Sequence, residues 1–302
     1  MISNAISRLN DIVVGKEMEI RLCLTCLVAR GHLLIEDQPG VGKTTLAHAL
    51  ARVLGLTYQR IQFTSDLLPA DVIGVSVFDR ATGGFRFHQG PVFSQLILAD
   101  EVNRANPKAQ SALLEAMEEG QVTADGSTYS LPMPFFVIAT QNPSHQIGTF
   151  PLPESQLDRF LMRIHLGYPD AAVERELLTG RDRRDLLQEL DPVLDPVMLA
   201  DLQKRVPAVH VSPALLDYLQ ALIAYSRDAP AFETGLSPRA AIGLLRAAQA
   251  WALLDGRKSV VPEDVQAVLA AVAAHRLRPV AEGGGESGSD IGEHLRQAVP
   301  VP

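Results

Sequence analysis

The chain has 302 residues, 47% of them hydrophobic and 21% charged, with a formal net charge of -8 at pH 7. That is the profile of a globular protein of one to three domains with length enough for a sizeable core, and its acidic balance argues against a surface built to coat nucleic acid. No apolar run is long enough to span a bilayer, and the polar opening M-I-S-N-A-I-S-R-L-N-D carries no signal-peptide core, so a cytoplasmic protein is expected.

The first feature along the chain is a cysteine pair, Cys23 and Cys26, in R-L-C-L-T-C-L-V-A. No second pair exists to complete a zinc site, and the two read as small apolar residues on one helix face. From there to about residue 168, short apolar runs alternate with helical patterns. H-L-L-I-E-D, Y-Q-R-I-Q-F, L-I-L-A-D-E, F-F-V-I-A-T-Q-N and R-I-H-L-G-Y are the strand candidates. Several are almost continuously apolar, as strands covered on both faces by helices must be. The alternation predicts right-handed βαβ units and a mostly parallel sheet.

Behind the first of these strands stands D-Q-P-G-V-G-K-T-T, residues 37 to 45. It ends like a phosphate-binding loop, although the pattern G-x-x-x-x-G-K-S/T wants glycine where this chain has Asp37. The physics asks for inward-turned backbone N–H groups, a helix N-terminus behind them, and a lysine reaching the outer phosphates. Gly40 and Gly42 permit the close approach, Pro39 stiffens the turn, Lys43 supplies charge, and the Thr44 hydroxyl suits magnesium. Pro39, Gly40, Val41, Gly42, Lys43, Thr44 and Thr45 are therefore the candidate phosphate-binding residues, and Glu36 and Asp37 read as structural.

Residues 75 to 89 look like a hairpin inserted between strand candidates. The run Leu96-Ile97-Leu98-Ala99 then ends in Asp100 and Glu101. Paired acids at the tip of an apolar strand suit a magnesium-holding carboxylate, Asp100, and a water-polarising one, Glu101. Asp125-Gly126, inside 121 to 131, signals a two-residue turn between extended segments. A third apolar strand ends in Gln141-Asn142-Pro143, where the Asn142 amide suits orienting water or touching a terminal phosphate.

From about residue 190 the strand signal vanishes. Ser212-Pro213, Ser237-Pro238 and Pro262-Glu263-Asp264 each open an apolar-periodic segment with helix-start residues. A second, all-helical domain of about four helices is expected. The stretch E-G-G-G-E-S-G-S-D reads as too polar and glycine-rich to pack, so 282 to 302 is expected to be largely flexible.

The three strand-end signals, in this order, resemble an ATPase of the AAA+ superfamily. E-D-Q-P-G-V-G-K-T, L-A-D-E-V-N-R-A-N-P-K-A-Q-S-A-L-L-E-A-M-E-E, A-T-Q-N-P and L-P-E-S-Q-L-D-R-F-L-M-R-I-H-L-G-Y-P narrow the resemblance to the MoxR family, over about residues 10 to 280. Family members usually carry aspartate at the Asp37 position. The resemblance implies an αβα P-loop sandwich with a parallel five-stranded core sheet, residues 1 to 185, and a helical lid, residues 186 to 281. It matches Asn142 to the first sensor, Arg159 to an arginine finger acting in a neighbouring subunit, and Arg239 to the second sensor at the start of a lid helix. Arg104 and Arg163 lie near the same surfaces and stand as alternatives for the trans role. A ring, usually a hexamer, is implied, with the two hairpins facing its pore or a partner. Relatives act as chaperone-like partners of proteins that often carry a von Willebrand factor A domain.

The leading expectation is thus an ATPase using ATP and magnesium to remodel a client protein. A ring that binds ATP, hydrolyses it poorly and works as a nucleotide-gated scaffold would not need Glu101. A small-molecule kinase or GTPase is disfavoured by the missing N-K-x-D signature and by the lid-like second domain. A nucleic-acid motor is disfavoured by the acidic balance and the lack of a basic, aromatic-lined groove.

Overall fold

The computed structural model describes residues 2–81, 83–142, 149–280 and 288–301. From the amino end run helices α1 (Ile2–Ile12) and α2 (Glu17–Val28), strand β1 (Leu33–Glu36), helix α3 (Lys43–Val53), strand β2 (Tyr58–Gln62) and helix α4 (Pro69–Ile73). A hairpin of β3 (Gly74–Asp79) and β4 (Gly84–Gln89) leads to β5 (Leu96–Asp100) and helix α5 (Pro107–Glu119). A second hairpin, β6 (Gln121–Ala124) with β7 (Ser127–Ser130), leads to β8 (Phe136–Gln141). Helix α6 (Glu154–Leu157) and strand β9 (Met162–Ile164) come next. The rest is helical: α7 (Ala171–Thr179), α8 (Arg183–Gln188), α9 (Pro196–Arg205), α10 (Pro213–Asp228), α11 (Pro238–Leu254), α12 (Pro262–Ala273) and α13 (Gly288–Ala298).

One parallel five-stranded sheet carries the order β2-β5-β8-β1-β9. Tyr58 to Gln62 of β2 lie opposite Leu96 to Asp100 of β5, and Leu96 to Ala99 lie opposite Phe136 to Ala139 of β8. Every residue of β5 is buried, and all of β8 but its last. Their unbroken apolar runs reflect helices on both faces. The edge strand β2 buries only Ile61, which leaves it room for polar side chains. Because β8 lies between β5 and β1, the carboxyl ends of those three strands are neighbours. Open α/β sheets bind their ligands in the crevice outside such ends.

The β6–β7 hairpin turns at Asp125 (φ 49°) and Gly126 (φ 77°). Two successive positive φ values make the primed turn whose twist matches the strands, and Asp-Gly is the pair that tolerates it. Phe87 of β4 stacks on Tyr129 of β7 at 4.2 Å between ring centroids. Thr82, between β3 and β4 in the sequence, lies outside the described residues.

The chain divides into two compact units: Met1–Ile20, Leu34–Leu152 and His165–Leu199 in one, Arg21–Leu33, Pro153–Ile164 and Ala200–Pro302 in the other. This differs from a single break at 185/186, because two segments that precede residue 185 are grouped with the later helices. In the second unit the Ser212 and Ser237 hydroxyls accept from the N–H groups of Leu215 and Ala240, capping α10 and α11. The Asp264 carboxylate does the same for Val261 ahead of α12. Cys23 and Cys26 are buried and unbridged, and burial pushes the Cys26 thiol well up.

The expectation of a flexible end from 282 onward is corrected for 288–301; residues 281–287 lie outside the described residues. Helix α13 packs against α10 and α12. Ile291, Leu295 and Val299, spaced four apart, fall on one face and are buried. The Tyr225 hydroxyl also meets His294 Nε2 at 2.9 Å. The polar glycine run masked an amphipathic helix beyond it.

Candidate functional site

A cavity of about 400 Å³ opens at the carboxyl ends of the central strands, lined by Pro39, Gly40, Gly42, Lys43, Thr44, Thr45, Arg60, Gln62, Asp100, Glu101 and Asn142. Its floor is the loop between β1 and α3. Gly40 and Gly42 sit at φ 90° and 95°, where a side chain is strained, and a Cβ on either would point into open space. Such a strip of bare backbone, ending at the N-terminus of α3, offers N–H groups and the positive end of a helix dipole to an anion.

Lys43, the first residue of α3, is buried, and its Nζ donates to the Asp37 carbonyl at 2.7 Å. Burial lowers its pKa, while Asp37, Asp100 and Glu101 pull it back up. The Asp37 side chain points elsewhere: its Oδ2 accepts from the N–H groups of Leu166 and Gly167 at 2.6 and 2.8 Å. Asp37 thus fastens the entry of the loop to the chain leaving β9, leaving the phosphate-facing backbone clear.

Asp100 ends β5 with its Oδ1 accepting the Thr140 hydroxyl at 2.6 Å and its Oδ2 accepting Arg60 Nε and Nη2 at 3.1 and 2.6 Å. Glu101 adopts the left-handed region, φ 57°, rare for a residue with a side chain. Held backbone of this kind clusters at functional sites. Its carboxylate accepts from Asn142 Nδ2 and Gln62 Nε2, both at 2.9 Å, and pairs with Arg104 at 3.3 Å. Asn142 itself is buried, and among the described residues its Oδ1 has no partner. Pro143 lies outside the described residues.

The donor set fits a metal-bound nucleoside polyphosphate: a glycine cradle, an ammonium, hard oxygens at Thr44 and Asp100, and an unsatisfied buried amide oxygen. Val41, also expected here, lies in the loop but does not line the cavity. Arg60 and Gln62 line it without having been singled out by the sequence. The signal available was alternation in Y-Q-R-I-Q, which puts both on one face at the end of a strand.

Arg159 and Arg239 belong to the second unit. Arg159 lies between α6 and β9, half-buried, and Arg239 lies exposed in the first turn of α11. Their neighbours share one network. The Asp158 carboxylate accepts Arg276 Nε at 2.7 Å and the Ser237 hydroxyl at 3.2 Å. Arg276 also donates to the carbonyls of Asp158, Phe160 and Leu161, and His275 Nε2 lies 3.0 Å from the Phe160 carbonyl. Arg163 donates to the Ala274 carbonyl at 3.0 Å.

Residues 32–162 match the ATPase family associated with various cellular activities (AAA), and residues 224–295 match the AAA lid domain. The chain is 43% identical to YeaC of Bacillus subtilis, over 100% of this chain and 95% of that protein. It is 40% identical to the chaperone MoxR1 of Mycobacterium tuberculosis, over 91% of this chain and 75% of that one. With the protein MoxR of Paracoccus denitrificans the identity is 37%, over 91% and 87%. The crystal structure of a candidate ATPase from Cytophaga hutchinsonii superposes with a TM-score of 0.91 at 38% identity, covering 100% of this chain and 94% of that one.

Proposed function

The chain belongs to the MoxR family of AAA+ ATPases, and from that premise we propose that it hydrolyses ATP with magnesium to remodel or mature a client protein. The observation that carries this reading is the convergence of Lys43, Asp100, Glu101 and Asn142 on one glycine-floored cavity.

In this reading the loop N–H groups and the α3 N-terminus hold the phosphates, and Lys43 neutralises the outer ones. Thr44 and Asp100 hold magnesium, which when bound spreads the charge developing on the phosphate oxygens. Glu101 accepts a proton from the attacking water as the new P–O bond forms and ADP departs. The Asn142 amide nitrogen holds the Glu101 carboxylate in place. Arg239 is the sensor of this chain's own nucleotide, and Arg159 completes a neighbour's site in a ring, proposed to be a hexamer. The client, by family resemblance, is a protein with a von Willebrand factor A domain. The chaperone name of the Mycobacterium relative supports remodelling. The cytoplasm is the proposed location; among the described residues no helix is long and apolar enough to cross a membrane.

The decisive experiment separates binding from turnover. Glu101→Gln is expected to bind a non-hydrolysable ATP analogue within about threefold of wild type while turnover falls by about 100-fold or more. Turnover near wild type in that variant would remove the catalytic assignment.

A further inference from the structure

Arg60 takes no part in the proposed hydrolysis, yet it holds the carboxylate on which magnesium binding depends. Its Nε and Nη2 both donate to Asp100 Oδ2, at 3.1 and 2.6 Å, while Thr140 occupies Oδ1. Both oxygens of a nearly buried carboxylate are therefore engaged, one of them by a cation. A charge-assisted fork supplies the counter-charge such a group needs.

A hydrated divalent cation seeks the same hard oxygens. Both Arg60 donors sit on Oδ2, so a cation taking that oxygen must displace Arg60, and the surroundings of the two partners make Arg60 the one able to yield. Thr140 is wholly buried on β8, and its hydroxyl also accepts the Glu101 N–H at 2.9 Å. Turning it away would leave buried groups unsatisfied. Arg60 rises from the edge strand β2 with its side chain 48% exposed. It can swing into water at small cost, since an exposed guanidinium loses little by giving up one ion pair.

We propose that Arg60 is a resident counter-ion of Asp100 that the divalent cation arriving with nucleotide displaces, so that Arg60 sets the magnesium concentration the site requires. The inference rests on reading the cavity as a metal–nucleotide site. An ordinary surface ion pair would touch stability alone; a resident counter-ion opposes the metal directly. Arg104 is the built-in comparison, an arginine beside the same cavity that pairs with Glu101.

The test uses the full chain and mant-AMPPNP, a fluorescent non-hydrolysable ATP analogue, held below saturation while Mg2+ is titrated. Arg60→Gln is expected to reach half-maximal binding at about three- to tenfold less Mg2+ than wild type. Arg60→Lys, which keeps the charge but loses the fork, falls between the two. Arg104→Gln stays within about twofold of wild type. An Arg60→Gln midpoint at or above that of wild type overturns the proposal, and so does an equal shift in Arg104→Gln, which would make the effect one of general charge. Failure of the underlying reading looks different: wild type would show no Mg2+-dependent binding, or Lys43→Ala would bind as wild type does. Should Arg60→Gln not fold, Arg60→Lys decides alone: a midpoint below wild type supports the proposal, and one at or above it overturns it.

Discussion

Asp37 opens the phosphate loop with a carboxylate where the general pattern has glycine, and its side chain spends that charge on backbone N–H groups, those of Leu166 and Gly167 at Oδ2 and that of Gln38 at Oδ1. Only its main-chain carbonyl faces Lys43. Asp37→Ala leaves these N–H groups without that acceptor, at a cost of about 1–3 kcal/mol. The thermal midpoint is expected to fall while nucleotide affinity stays within a few-fold of wild type, because the carboxylate faces away from the cradle. An unchanged midpoint would contradict this division of labour. At this scale the sequence was informative where chemistry concentrates in unlike neighbours. Lys43 and Thr44 stand in a loop of known geometry, and Asp100 and Glu101 break an apolar strand. Arg60, Gln62 and Thr140 escaped notice because arginine, glutamine and threonine in an edge or central strand are common. Only the register that sets Gln62 opposite Asp100 gives them meaning.

Elements were legible where a periodic pattern met a clear terminus. The strand β5 carried no polar residue before its acidic end, α10 and α11 began at Ser-Pro pairs whose serines cap them, and Asp125-Gly126 marked its turn. Helix α13 was lost because a glycine-rich stretch precedes it and its apolar residues, only three in eleven or so, are sparse. Those three are nonetheless buried, and each such side chain contributes about 1.5–3 kcal/mol. Ending the chain at residue 287 is therefore expected to cost on the order of 4 kcal/mol. The melting transition of the second unit should move down accordingly. A truncated chain that melts as the full one does would mean that α13 adds nothing to that unit. The β3–β4 hairpin has the opposite character: Val77, Phe78 and Phe85 are 48%, 52% and 77% exposed. Apolar side chains displayed this way suit the partner-facing role that family resemblance implies for it.

For the whole molecule, the proposed assignments distribute catalysis between chains. On those assignments Lys43 and Glu101 serve a subunit's own nucleotide, and Arg159 serves a neighbour's. Arg159→Ala and Lys43→Ala proteins, each nearly inactive alone, should regain part of the activity when mixed, since some interfaces then join an intact cavity to an intact Arg159. ATPase assays across mixing ratios check this, and no recovery at any ratio would remove the trans role. Neither ring size nor subunit contacts can be read from one chain's residue order, because an interface is written in two surfaces that meet only on assembly. The segment that presents Arg159 is nevertheless well braced, with Arg276 joining Asp158, Phe160 and Leu161.

The central claim is that one cavity, floored by Gly40 and Gly42 and walled by Asp100, Glu101 and Asn142, holds the triphosphate during hydrolysis. A crystal structure grown with AMPPNP and magnesium tests it most directly. The account predicts the β- and γ-phosphates on the loop, Lys43 Nζ turned from the Asp37 carbonyl toward them, and Glu101 beside the γ-phosphorus. A nucleotide bound anywhere else, or a γ-phosphate remote from Glu101, would contradict it.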